Sequence, residues 1–302
     1  MTIKAVLATD ELAEAVGAVD GVDITVWSGD GPAPDGDTDL WVPHYATSAD
    51  VLDQGHQLQG LQVVQLQSAG YDGVADRLPE GVTLCNAAGV HDDATAEHAV
   101  GLILASLRGI PEAVRHHGHW HRLPGRRSLA DSRVLVLGHG SIGRALSERL
   151  LAMKAEVTAV ATTERDDDLV GRVRATADLP ELLPEQDVVV VLVPLTDDTR
   201  GLVDDTFLAR LPDGALVVNV ARGPVVDTDA VIAHAGRLSF ALDVTDPEPL
   251  PDGHPLWDAP DVLVTPHIAG GTTAMLPRVS ALVREQLRRR VSGEPLVNVV
   301  GS

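Results

Sequence analysis

Arg222, Glu248 and His267 stand in three short segments: Asn219-Val220-Ala221-Arg222-Gly223, Asp243-Val244 running on to Glu248-Pro249-Leu250, and Thr265-Pro266-His267-Ile268. These residue types suit proton-coupled hydride transfer at a carbon beside a carboxylate. A histidine with an ordinary pKa of about 6.5 exchanges protons in both directions near neutrality. A glutamate bonded to it fixes the tautomer and steadies the imidazolium. The planar fork of an arginine matches a carboxylate and polarises a neighbouring carbonyl. Arg222 and His267 are therefore expected to touch substrate, with Glu248 behind the histidine. Singly, each has a plain structural reading: a surface charge, a turn residue in a proline-rich loop, a satisfied histidine. What joins them is that each follows an apolar run expected to be a strand. Ligands of doubly wound sheets bind outside the carboxyl ends of the strands.

Upstream lies the turn Gly138-His139-Gly140-Ser141-Ile142-Gly143, after the apolar run 134–137 and before the helical start Arg144-Ala145-Leu146. In that context Gly138 permits a tight turn, Gly140 lets a pyrophosphate approach the backbone, and Gly143 allows close helix–strand packing. The amides of Ser141, Ile142 and Gly143 then face the phosphates of a dinucleotide. The following strand, 157–160, ends in Ala161-Thr162-Thr163-Glu164-Arg165, without an acid at the place that binds ribose hydroxyls. Thr162, Thr163 and Arg165 suit a 2′-phosphate, which favours NADP over NAD, or a relaxed choice between them. Glu164 on the ribose, or Arg165 as a solvated loop charge, are the other readings.

Two strand–helix series must carry these residues. The first has strands near 4–8, 22–27, 40–42, 63–66 and 82–86. The second has strands near 134–137, 157–160, 188–193, 216–220, 239–243 and 262–265. Long helices are expected near 95–108 and 274–291. The fold class is α/β, with two doubly wound parallel sheets.

Composition narrows the functions. The 302 residues carry a formal charge of −21, which opposes nucleic-acid and anionic-membrane partners. An acid-binding site on such a surface needs a local cation, which Arg222 supplies. A single cysteine, Cys85, forms no internal disulfide, and no apolar run approaches the roughly 20 residues of a membrane span. The N-terminus lacks the basic start and apolar run of a signal peptide, so a cytoplasmic location is expected. His116, His117, His119 and His121 cluster without a nearby acid or cysteine that completes a recognisable site, and no metal is expected.

The three segments, their order and the glycine turn resemble the D-isomer-specific 2-hydroxyacid dehydrogenases, which include phosphoglycerate, glycerate/hydroxypyruvate and D-lactate dehydrogenases. The resemblance is strongest from Asn86 to His267. It implies a flavodoxin-like substrate domain, residues 1–97 plus 268–302, and an inserted Rossmann dinucleotide-binding domain, residues 98–267. It implies a hydride exchanged between NAD(P)H and a 2-keto or D-2-hydroxy acid. Arg222 anchors the carboxylate, and His267 and Glu248 relay the proton. A glutamate rather than a glutamine at 248 argues against the family's formate dehydrogenases. Ser68, Ala69 and Gly70 match the loop whose amides receive the substrate carboxylate. Pro194, Thr196 and Thr199 match the cofactor wall, joined by Val220, Ala221 and Gly270. Asp243 matches an acid that contacts the nicotinamide carboxamide, or else a strand-end turn former. Asn86 and Val90 match positions near a cleft between the domains, and Glu97 a structural position on the helix there. The resemblance further implies a homodimer and no metal. His91-Asp92-Asp93 departs from the family's usual neutral text. The second reading is a cofactor-sensing scaffold like the corepressors that share this fold. A phosphorylated substrate calls for cations near 44–72, where there is no Lys or Arg.

Overall fold

A computed structural model describes residues 2–45 and 49–300. The chain divides into two units, Met1–His91 with Thr272–Ser302, and Asp92–Gly271. The breaks expected at 97 and 268 both lie inside the second unit. One falls within a continuous helix, α3, Asp92–Arg108, which packs on other elements of that unit. The other falls at Ile268, whose amide is bonded to Asp243 of the same unit.

In the first unit, strands β1 (Ile3–Leu7), β2 (Val22–Val26), β3 (Leu40–Val42), β4 (Val63–Gln65) and β5 (Thr83–Cys85) are parallel. Their spatial order is β5-β4-β3-β1-β2, which is the flavodoxin-like order read from the other edge. Helices α1 (Asp10–Val16) and α2 (Ala49–Asp53) belong to this unit. Alternate residues bury both faces: Ala5, Leu7, Leu40 and Val42 in one layer, Val6, Trp41, Val64 and Leu84 in the other. That is the pattern of a sheet covered on both sides. The C-terminal helix Met275–Ser292 packs on α1, and its buried Gln286 donates to the Gln65 side chain at 2.7 Å. The short tail beyond it forms a strand, Val299–Val300, antiparallel to β5. Two residues are too short a run for alternation to reveal.

In the second unit the order is β13-β12-β11-β10-β6-β7-β9-β8. The strands are β6 (Arg133–Leu137), β7 (Glu156–Ala161), β8 (Arg165–Asp167), β9 (Gly171–Ala175), β10 (Val188–Val191), β11 (Leu216–Asn219), β12 (Ser239–Leu242) and β13 (Val262–Val264). Taking β6, β7 and β9 as the first three, this is the 3-2-1-4-5-6 Rossmann order, extended by one strand at each edge. All pairings are parallel except β8 with β9. Alternation again places Leu135, Val189 and Val217 on one face and Val134, Val188 and Leu216 on the other. The sequence reading missed β8 and β9. β8 is Arg-Asp-Asp, and β9 buries a single apolar side chain fully, Val173, so neither shows a hydrophobic pattern. Two further helices, α4 (Ile110–Arg115) and α5 (Ser141–Ala152), complete the elements that matter below.

Candidate active site

The strand order reverses between β6 and β10, and the glycine turn sits at that point. Gly138 has φ 109°, and a Cβ there would meet the backbone of Leu192 at 2.6 Å and Val193 N at 2.8 Å. Only glycine lets β6 leave the sheet so close to the end of β10. A Cβ at Gly143 would collide with the Gly138 carbonyl oxygen, so the first turn of α5 lies against the loop. At Gly140 a Cβ would meet nothing within 4 Å. Two glycines are thus demanded by protein packing, while the third borders open space. Gly140 is also the N-cap of α5, with no side-chain cap on the amides of the first turn. Uncapped amides, a helix dipole and an open approach fit a pyrophosphate. Ser141 lies in this first turn, and its hydroxyl donates to Asp92 at 3.2 Å.

Beyond β7, Thr162, Thr163, Glu164 and Arg165 are exposed. The Arg165 guanidinium donates to the His139 carbonyl at 2.6 Å and so lies over the glycine turn. Glu164 pairs with Arg172 of β9. His139 is buried, with its Nε2 3.5 Å from Asp167, and burial holds its pKa below the ordinary value. Arg144 of α5 pairs with Asp168 at 2.8 Å.

The three segments singled out in the sequence follow β11, β12 and β13. Buried Asn219 closes the first turn: its amide donates to Arg222 O at 3.0 Å and its oxygen accepts from Ala221 N at 3.0 Å. Val220 and Ala221 are buried beneath, and the Arg222 guanidinium donates to Ala221 O at 2.7 Å. A Cβ at Gly223 would collide with the Thr245 carbonyl, so the arginine and glutamate segments lie backbone to backbone. Thr228 ties them again by donating to Asp246 O at 2.8 Å.

His267 Nδ1 and Glu248 Oε1 are 2.5 Å apart. This bond, with the carboxylate's charge, raises the His267 pKa above 6.5 against the opposing effects of burial and of Arg222. The same bond holds Glu248 below its ordinary value, with a smaller contribution from Arg222. Arg222 is therefore near enough to weigh on both partners. His267 adopts φ 50°, a left-handed backbone that costs about 1–2 kcal/mol for a non-glycine residue. Asp243 holds it there. The Asp243 carbonyl accepts from His267 N at 2.8 Å. Its carboxylate accepts from Thr265 Oγ1 at 2.6 Å and from the amides of Ile268 and Ala269 at 3.0 Å each. His98 Nε2 of α3 lies 3.1 Å from the same carboxylate. Burial opposes the charge, yet these donors keep the Asp243 pKa low. Of the two readings of Asp243, this geometry displays the local one. No sequence signal pointed to His98 or Gly223. Their roles depend on contacts between segments.

The remaining expected residues divide between the units. Thr199 accepts from Thr196 N at 2.8 Å and donates to Pro194 O at 2.6 Å, so the Pro194–Thr199 turn is closed on itself. Gly270 ends the histidine segment, beside buried Ala269. Glu97 is 3.5 Å from Arg149, which also pairs with Asp93 at 2.7 Å. In the first unit, the carbonyls of Ser68, Ala69 and Gly70 accept from Ala87 N, Asn86 Nδ2 and Ser68 Oγ at 2.7–2.8 Å. In trans peptides the N–H points opposite to the preceding C=O. The amides of Ala69 and Gly70 are thereby directed away from that anchorage. His91 is buried, with Nε2 2.6 Å from Gln67 O.

One expectation is corrected. The histidine cluster does have an acid within reach, because α4 carries Glu112 one turn before His116 and His121 folds back on it. One donor atom from each of these three lies within 4.8 Å of the others. The Glu112 charge is met by Arg126. His117, four residues before His121, is not part of this group. Among the described residues no helix is long and apolar enough to cross a membrane.

Comparison with known proteins agrees with this architecture. Residues 100–269 match the D-isomer specific 2-hydroxyacid dehydrogenase, NAD binding domain. A glyoxylate reductase of Thermofilum pendens is 33% identical, over 82% of this chain and 76% of the relative. A D-isomer specific 2-hydroxyacid dehydrogenase of Xanthobacter autotrophicus, solved with NADPH and MES, superposes with a TM-score of 0.84 at 31% identity, covering 100% of this chain and 98% of the other. An NADPH-dependent glyoxylate/hydroxypyruvate reductase of Sinorhizobium meliloti, solved with NADP and sulfate, gives 0.83 at 27% identity, covering 99% and 98%. The glycine turn at the β6/β10 reversal and the strand-end histidine, glutamate and arginine thus belong to a member of the D-isomer specific 2-hydroxyacid dehydrogenase family.

Proposed function

We propose that this chain reduces 2-keto acids to D-2-hydroxy acids with NAD(P)H, using Arg222 as the carboxylate anchor and His267 with Glu248 as the proton relay. The observation that carries the reading is the His267–Glu248 bond at 2.5 Å, on the same strand-end face as Arg222 and in the unit that holds the glycine turn. The dinucleotide, when bound, supplies the hydride to the carbonyl carbon. In the Glu248-bonded tautomer, Nδ1–H donates to the carboxylate and Nε2 serves the substrate. Protonated His267 gives its Nε2 proton to the ketone oxygen, which becomes the hydroxyl. The neutral imidazole that remains still donates to Glu248. Arg222 holds the carboxylate of the substrate and draws electron density from the adjacent carbonyl. Oxidation runs the same steps backward and needs neutral His267.

Among cofactors, NADPH is favoured over NADH. Arg165 lies over the glycine turn, while Glu164, the alternative ribose ligand, is engaged by Arg172. The relative from Sinorhizobium meliloti is NADPH-dependent, and short 2-keto acids such as glyoxylate and hydroxypyruvate are the first candidates as substrates. No observation favours the scaffold reading. The test is a screen of glyoxylate, hydroxypyruvate, pyruvate and bulkier 2-keto acids against both reduced cofactors, with chiral analysis of every product except the achiral glycolate. Consumption of NADPH with formation of a D-hydroxy acid supports the reading. No consumption of either cofactor across the panel contradicts it.

A further inference from the structure

We propose that His98 is a positioning residue for the catalytic histidine, acting through Asp243 and Thr265. The inference rests on the reading of His267 as the proton donor, and concerns how its backbone is held. The left-handed turn at His267 is fixed by the Asp243 main chain, while the Asp243 side chain gathers the residues on both sides of it. Three donors to that carboxylate, Thr265 Oγ1 and the amides of Ile268 and Ala269, belong to the very segment it organises. The fourth, His98 Nε2, comes from the middle of helix α3, at 3.1 Å. His98 Nε2 is also 3.0 Å from Thr265 Oγ1. Since the threonine hydroxyl gives its proton to Asp243 at 2.6 Å, its lone pairs face a donor, and the single Nε2–H is shared between that hydroxyl oxygen and the Asp243 carboxylate. The three side chains form a closed triangle of hydrogen bonds at a carboxylate only 2% exposed.

Burying a carboxylate is costly unless its oxygens are satisfied, and truncating one partner leaves the others to rearrange. Here the rearrangement falls on the segment 265–269, whose strained residue is the proton donor. Helix α3 is long and packs on α5, β11 and β12, so it is a firmer support than the loop itself. His98 therefore ties the catalytic segment to the body of the unit without reaching the substrate.

The test uses the full chain and the preferred keto acid of the screen, with His98→Ala, His98→Gln and Thr265→Val. A misplacement of a catalytic group by about 1 Å costs up to about 100-fold, so His98→Ala is expected to lower kcat by about 10- to 100-fold. KM for the cofactor and its dissociation constant stay near the wild-type values, because the glycine turn is untouched. His98→Gln, whose amide NH2 replaces the Nε2–H donor, restores most of kcat. Thr265→Val reproduces the loss, since it removes the hydroxyl from the same triangle. Hydrogen exchange of peptides covering 265–269 is faster in His98→Ala and not in His98→Gln. Unchanged kcat and exchange in His98→Ala would overturn the inference. So would a loss of kcat that follows a loss of folded protein or cofactor affinity, or that glutamine fails to restore. If the wild type turns over no keto acid, the reading of His267 fails. The exchange measurement alone then decides whether His98 anchors the loop.

Discussion

The glycine turn after β6 and the strand ends of β11, β12 and β13 lie in one unit but are built in opposite ways. The turn is made from six consecutive residues, and its function resides in the backbone. Two glycines are required because protein atoms press on them, while the third, Gly140, borders open space. The strand-end site is made from side chains of segments separated along the chain, and its geometry depends on bonds among them. Asp243 holds the His267 backbone, Asn219 closes the arginine turn, and Gly223 lets the Thr245 carbonyl approach. A cradle for phosphates tolerates a local, repeatable construction. A proton relay and its carboxylate anchor need three side chains set by tertiary contacts. Binding and chemistry should therefore fail separately.

The largest separation is expected for His267→Asn. Removing the proton donor should lower kcat by about 10²–10⁴-fold, while a fluorescence titration shows NADPH affinity unchanged. Next comes Gly223→Ala, which has a Cβ that cannot fit against the Thr245 carbonyl. Steady-state kinetics should show kcat reduced by about 10- to 100-fold through displaced Arg222 and Glu248, again with affinity retained. Gly143→Ala reverses the pattern. Overpacking of α5 against the Gly138 carbonyl should destabilise the protein by about 1–3 kcal/mol, seen in thermal unfolding, and weaken dinucleotide binding. The smallest effect is Arg165→Gln. Loss of one charge-assisted contact should raise KM for NADPH about tenfold and leave KM for NADH unaltered. Equal effects on both cofactors would remove Arg165 from the 2′-phosphate.

The contrast also explains what could be read without coordinates. The turn was legible because its glycines, preceding strand and following helix are contiguous. Most strands of both sheets were legible because burial on both faces leaves uninterrupted runs such as 188–191. Arg222, Glu248 and His267 could be picked out by type and context, and His267 and Glu248 prove to be bonded. The supports could not. His98 lies in a helical stretch that looks like ordinary amphipathic text, and its distance from Asp243 is a property of the packed helix. In the histidine cluster, Glu112 stands four residues before His116, a spacing present in the sequence, and only the folded-back segment that brings His121 to them was hidden. The β8–β9 hairpin was missed because an exposed, charged edge carries no hydrophobic period.

The central claim is that Glu248 tunes His267 as the proton donor, and the pH dependence of kcat/KM for keto-acid reduction tests it most directly. The Glu248 bond raises the His267 pKa above 6.5. Reduction needs the protonated imidazole, so the rate should be full below that ordinary value and fall as pH rises through the raised one. In Glu248→Gln the anion is gone, and burial with the Arg222 charge then pushes His267 down. The falling limb should move to lower pH, with D-hydroxy-acid oxidation gaining its rising limb over the same displaced range. A limb that stays in place when Glu248 is neutralised would contradict the account.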